Sequence, residues 1–265
     1  MKLNKWMLCK NIFYTQSLLK FNKWPRDRLF LIGAFLVGIF IPLTMNAQTS
    51  PYARLTLGDI FAQTGQNQVI AFDPSYWKKL VTNHNSVSEI YGGISAGLRI
   101  PFNSIWAIEV GAGYYQAASF NQEGKIYQYN SPDFYNLNYD YKIQIRRVMF
   151  EGKLLTTFST IYHPYLSAGI GASRNRSYNY QETPVQPYAV PDPSFASWSQ
   201  NNFSCSAGIG LDIEVTQHWR IGAGYEYSNL GTTKLRPSPV QMTSQQVSSG
   251  TINTNQVLAQ VSYTI

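Results

Sequence analysis

The chain has 265 residues, enough for one sizeable domain. Only 13% of it is charged, and the formal charge of +7 sits at the start: seven Lys/Arg and one Asp lie up to Ala47, 14 Lys/Arg and 13 Asp/Glu after it. The composition therefore excludes a nucleic-acid-binding domain beyond residue 47. With Cys9 in that basic stretch and Cys205 alone after it, it also excludes a disulfide framework or a thiolate metal site.

The first element is a leader. A basic stretch ends in KWPRDR (23–28), the apolar run LFLIGAFLVGIFIPLTM follows (29–45), and then NAQTS. Basic region, short apolar core and small residue form the layout of a secretory signal. The expected cut follows Ala47, leaving residues 48–265 as the mature domain. The alternative is an uncleaved anchor, for which a run of about 17 residues containing Pro42 is marginal.

Beyond the leader the apolar residues recur with a period of two, which is a strand signal. In SEIYGGISAGLRIP (88–101), Ile90, Ile94, Ala96 and Leu98 share one face, while Tyr91, Gly93, Ser95 and Arg99 share the other. IWAIEVGAGYYQAA (105–118) repeats the scheme. FSCSAGIGLDIEV (203–215) is the cleanest case: Phe203, Cys205, Ala207, Ile209 and Leu211 oppose Ser204, Ser206, Gly208, Gly210 and Asp212. Eight strands are expected, at about 52–62, 88–101, 105–118, 140–158, 164–178, 201–215, 219–230 and 253–265. Short connections alternate with long ones at about 63–87, 119–139, 179–200 and 231–252.

The polar face decides the class. Exposed strand faces of soluble proteins favour Thr, Lys and Glu, but here Gly and Ser dominate, with G-x-G at Gly111/Gly113, Gly169/Gly171, Gly208/Gly210 and Gly222/Gly224. Small residues suit the crowded interior of a narrow barrel. The apolar face carries aliphatics in mid-strand and Trp106, Phe158, Trp219 and Tyr263 at strand ends, as a membrane interface requires. The expected fold is all-β: an eight-stranded antiparallel transmembrane β-barrel with short periplasmic turns and long extracellular loops. The terminal VLAQVSYTI (257–265) alternates to its last residue, as expected of a strand that closes on the first and leaves no unpaired backbone in lipid. A soluble eight-stranded carrier would invert the two faces.

Parity aims Arg54, Arg99, Arg147, Lys153 and Arg220 inward with Glu109, Glu151, Asp212, Glu214 and Glu226. Buried charges pair, so these ten are candidate lumen ion pairs. Either they block flow, or Arg147, Glu151, Lys153 and Glu226 gate a narrow pore. Glu214 is expected opposite Arg220, and Arg99 beside Glu109. A bulge near Gly58 is expected to turn Asp59 inward. Lys142, Arg146, Arg174 and Arg176 point outward above the apolar band, with Arg146 expected across from Arg176. They are either a lipopolysaccharide contact, since Arg suits phosphate, or strand extensions into water.

Catalysis lacks its parts. The G-x-G pairs have no third glycine opening a helix. His163 and His218 fall in short turns and His84 in a long loop, and no His/Cys/carboxylate group has metal-ligand spacing. No enzyme activity, cofactor or metal is expected. The loops IYQYNSPDFYNLNYDY (126–141) and PVQPYAVPDPSFASW (184–198) offer Tyr, Asn and Ser for recognition of a host or phage surface ligand, or for packing among themselves.

The leader, SPYARLTLGDIFAQTG, FEGKLLTTF with HPYLSAGIGAS, GAGYEYSNLG and the terminal strand together resemble small bacterial outer-membrane β-barrels of the opacity and OmpW/OmpA-domain type, over residues 50–265. Members of that family usually end in Phe or Trp, where this chain has Ile265. The resemblance implies the outer membrane of a Gram-negative bacterium, insertion by the barrel assembly machinery, surrounding lipid and lipopolysaccharide, a monomer, and no cofactor. The function expected is a non-enzymatic structural or surface-exposed protein; the alternative is a narrow channel for small solutes.

Overall fold

A computed structural model describes residues 49–73, 76–83 and 87–265. The expected leader, residues 1–47, and His84 lie outside the described residues. The described residues form eleven strands: β1 (Ser50–Gln63), β2 (Gln68–Asp73), β3 (Tyr76–Thr82), β4 (Val87–Pro101), β5 (Trp106–Ala117), β6 (Phe120–Gln128), β7 (Tyr135–Thr156), β8 (Tyr162–Pro184), β9 (Trp198–Glu214), β10 (Trp219–Leu235) and β11 (Val247–Thr264). They join one antiparallel sheet in the order β2-β3-β6-β7-β5-β4-β1-β11-β10-β9-β8, and a β7–β8 pairing closes eight of them into a hydrogen-bonded ring.

This corrects the expected eight-stranded barrel with long loops. Three additional strands, β2, β3 and β6, occupy the segments expected as loops at 63–87 and 119–139. β6 follows β5 after two residues, and both lie along β7: β5 pairs with Trp106↔Thr156 to Gln116↔Arg146, β6 with Phe120↔Ile143 to Tyr127↔Tyr135. β3 pairs with β6 as β4 pairs with β5, and β2 pairs with β3. The extra strands thus continue the wall of the ring beyond the height at which regular alternation of greasy residues stops. The other long connections shorten likewise, because β8 runs on to Pro184, β10 to Leu235, and β11 begins at Val247.

Closure runs between the first and last strands. β1 and β11 pair from Tyr52↔Thr264 to Gln63↔Asn253, and Ile265 N–H donates to Pro51 O at 3.0 Å. No register shift interrupts β1, so the bulge expected near Gly58 is absent and Asp59 stays on the outer face, opposite Val257 and Ile90. The short turns are tied by side chains. Asn103 Oδ1 accepts from the backbone N–H of Ile105 and Trp106 at 2.8 Å each, and Thr216 Oγ1 accepts from Trp219 N–H at 3.1 Å.

The two faces exchange character along the same strands. In the half nearest the short turns the outer face is greasy: Leu55, Ile94, Val148, Ile170, Ile209 and Val257 are all exposed. On β10 this band runs from Trp219 to Tyr227, matching the roughly 9–11 residues a tilted strand needs to cross hydrocarbon. It ends at a collar of outward polar residues that includes Asp59, Gln116, Arg146, Arg174, Asn201 and Asn255. Past the collar the apolar residues turn inward: Ile60, Ile70, Leu80, Phe120, Ile126, Leu137 and Ile143 are each at most 1% exposed and share one core. β7 shows both halves, with Lys153 and Arg147 inside Leu154 and Val148, then Ile145 and Ile143 inside Gln144 and Lys142.

The far half is closed from within by β10 and β11. β9 and β10 pair only up to Asn229↔Cys205. Beyond it, Gly231 takes φ +73°, a conformation that favours glycine, and a Cβ there would strike Asn202. Freed β10 carbonyls accept instead from inward side chains of β8: Ser173 Oγ and Asn175 Nδ2 donate to Leu230 O at 2.7 and 2.8 Å. Leu230, Leu235, Val247 and Ile252 then fill the core.

This inversion predicts a position-dependent cost of charge on the outer face. Ile170→Lys, in the band, should destabilise the protein by about 2–4 kcal/mol in urea unfolding from lipid vesicles. Gln63→Lys, past the collar on β1 and opposite Asn253, should change it by less than about 0.5 kcal/mol.

Candidate functional site: the charged lumen and the far-end platform

Parity delivers all ten predicted inward charges to the inner face, where eight of them form three groups. Nearest the short turns, the Glu109 carboxylate lies between two arginines: it pairs with Arg54 through Oε2 and with Arg220 Nη1 through Oε1 at 3.2 Å. Arg220 Nε lies 3.7 Å from Glu214, its direct cross-strand neighbour. Next, Lys153 Nζ meets Asp212 Oδ2 at 2.6 Å and stands 3.6 Å from the centre of the Tyr165 ring. Higher still, Arg147 pairs with Glu226 at 2.6 Å, donates to Ser228 at 2.8 Å and to Tyr91, and lies against the rings of Tyr91 and Tyr115.

Two of the ten depart from simple pairing. Arg99 faces Glu109 across the β4–β5 ladder, yet that carboxylate is taken by Arg54 and Arg220, and Arg99 Nη1 is buried without a hydrogen-bond partner. Glu151 lines the lumen cavity together with Tyr115 and forms no ion pair with a described residue. Sequence reasoning missed a member of the network. His163, expected in a turn, begins the inner face of β8, is 3% exposed, and places Nε2 at 3.3 Å from Glu214 and Nδ1 at 3.2 Å from Thr157 Oγ1. Its parity with Tyr165 and Ser167 was the signal that could have found it.

The glycines make this packing fit. A Cβ on Gly210 or Gly224 would run into the Tyr165 phenol, and one on Gly113 into Tyr115. A lumen cavity bordered by Arg54, Tyr91, Arg147, Glu151, Lys153 and Gln260 holds about 30 Å³, room for one or two waters. Above it sits the apolar core. These side chains leave little free space in the charged part of the lumen.

The outer cations lie where parity puts them, with one change of register. The turn after Phe158 spans 159–161, so Arg146 is paired with Arg174 and not with Arg176, which faces Gln144; Lys142 faces Tyr178.

The segments expected as loops form a stitched platform at the far end. Lys78, 1% exposed, is held by Glu182 at 2.7 Å and Asp192 at 2.8 Å, tying β3 to the connection after β8. Tyr180 donates to Glu182 at 3.0 Å and stacks on Tyr139, while Phe195 meets Tyr180 edge-on. Burial pushes the Tyr180 phenol well above its ordinary range, so it stays a donor. Ala196 and Arg236 exchange backbone hydrogen bonds, Gln241 donates to Pro193 O, and Thr243 donates to Ala71 O at 2.7 Å. Tyr129 and Asn130 take φ of 54° and 53° in the tight turn after β6, and Tyr129 packs edge-on against Phe134 and Tyr76. On this frame Tyr188, Val190, Val240 and Met242 stand 73–83% exposed.

Residues 32–264 match the outer membrane protein beta-barrel domain family. The chain belongs to that family. It is an outer-membrane protein of a Gram-negative bacterium. Among the described residues no group of His, Cys, Asp and Glu could hold a metal. The chain is 30% identical over 100 residues to the outer membrane protein PagN of Salmonella typhimurium, a match covering 38% of this chain and 40% of PagN. It thus spans about two-fifths of that relative's length. Among solved structures it is similar to Neisserial surface protein A (TM-score 0.44, 15% identity, 81% of this chain and 97% of that one). It is also similar to the attachment invasion locus protein Ail of Yersinia pestis (TM-score 0.34, 14% identity, 81% and 98%). At these values neither structure bears on ligand or partner.

Two outcomes test the site. Glu109→Gln leaves Arg54 and Arg220 facing each other without their carboxylate, and should cost about 3–5 kcal/mol in urea unfolding from lipid vesicles. Lys78→Ala should release the connection after β8, so that limited proteolysis cuts between residues 184 and 198 while the membrane-embedded half remains intact.

Proposed function

We propose that this family member is a surface recognition protein, with its far end turned outward and the preformed platform as its contact face. The observation that carries this reading is the exposure of Tyr188, Val190, Val240 and Met242 on segments tied to one another and to the sheet. Apolar side chains left in water on a fixed frame are anchors that fit a partner's pockets at little ordering cost. The buried Lys78 with its two carboxylates supplies that fixity. We place the signal cut after Ala47 and read the lumen charges as packing, each pair stabilising the wall. A cavity of about 30 Å³ beneath an apolar core argues against the channel reading.

The test uses bacteria that display the full chain. Expression should raise attachment to host-cell layers or adsorption of a phage. Replacing Tyr188, Val190, Val240 and Met242 together with Ser should abolish the gain while heat-modifiable gel migration stays unchanged. Attachment that expression does not alter, or that survives the quadruple change, would overturn the reading. Planar-bilayer recordings should show no steady openings.

A further inference from the structure

We infer that the outer face of the ring carries a built site for a phosphorylated, multiply acylated glycolipid of the lipid A type. Two independent features meet there. The first is a cation row at the collar. Arg146 and Arg174 stand directly opposite each other across β7 and β8, both exposed, and neither forms an ion pair with a described residue. Gln116 flanks the pair through Arg146 and Asn201 through Arg174, in the same row of the sheet. Like charges opposed on a sheet repel, and no carboxylate of the row offsets them. Arg176 and Lys142 extend the positive surface away from the band. A phosphate seated between two guanidiniums would remove the repulsion and accept from both.

The second feature is an apolar groove just below. Its floor is the row of small side chains Ala53, Ala96 and Ala112, aligned by the β1–β4 and β4–β5 registers. Tyr114 and Val148 form one wall, Trp219, Val261 and Tyr263 border the opposite side, and the open groove, about 780 Å³, has almost no polar lining. Tyr114 and Val148 are also the outward residues immediately before Gln116 and immediately after Arg146 on their strands, and they face each other across the ladder. One end of the groove therefore lies beside the arginine row. A head with phosphate at the collar and acyl chains along the alanine floor satisfies both features at once. Charge complementarity selects an anionic lipid, and a paired guanidinium set above a broad groove selects one whose phosphate sits on a multi-chain body rather than a two-chain phospholipid. This site lies on the wall, away from the recognition platform, and stands independently of it.

The experiment takes the full mature chain, folded in detergent, and counts bound lipid by native mass spectrometry. The probes are bisphosphorylated lipid A, the same lipid A stripped of phosphate, and phosphatidylglycerol. Wild type should retain one bisphosphorylated lipid A at least tenfold better than either of the other two. Arg146→Gln with Arg174→Gln should remove that preference, and Ala96→Phe, which fills the floor from the lipid side, should weaken retention of all acylated probes. Heat-modifiable migration checks that each variant is folded, and the arginine pair, being above the band, provides the readout if Ala96→Phe is not. Retention unchanged in the double arginine variant would overturn the inference. So would equal retention of phosphate-free lipid A, or of phosphatidylglycerol.

Discussion

The surroundings of this sheet change from hydrocarbon to water partway along its strands, and everything else follows from that. A backbone in lipid has no outside partner, so the wall must close on itself. Its outer side chains must be apolar up to the boundary and polar past it. The inner face has to answer in reverse. Where lipid lies outside, the ten charges and their tyrosines can be accommodated within; where water lies outside, an aliphatic core is what holds the wall together. β7 obeys both demands in one run of 22 residues.

That exchange explains what was legible in the sequence. Period-two patterning gave the faces of the embedded half, because Ile209 against Gly210 or Leu154 against Lys153 differ strongly in character. It also placed the inward charges on the correct face. It failed past the collar. There the greasy set moves to the other parity, so Ile60 follows Leu57 at an odd spacing and Ile143 follows Val148. A pattern that loses phase reads as the end of a strand, and the segments around Ile70, Leu80 and Ile126 read as loops. Asp59 shows the same effect on a single residue. It looked misplaced in lipid and called for a bulge, but it marks the collar itself.

The register errors have a smaller cause. Moving the turn at 159–161 by one residue shifts the ladder by two, which keeps every face and changes every partner. Arg146 therefore points as expected but meets Arg174. Partner identity in the lumen was less legible still, because contacts across the interior depend on strand tilt. Glu109 binds Arg54 and Arg220, which sit on β1 and β10, rather than its neighbour Arg99. The Lys78 triad was beyond reach, since Glu182 and Asp192 lie more than a hundred residues away and in a segment with no regular period.

The long β7–β8 ladder has a mechanical consequence. It runs without a break in partnership from Leu155↔Tyr165 near the short turns to Leu137↔Pro184 beneath the platform, with one irregularity between Asp140 and Lys142. A pull on the far end acts along these strands, so their hydrogen bonds share the load in shear instead of parting one at a time.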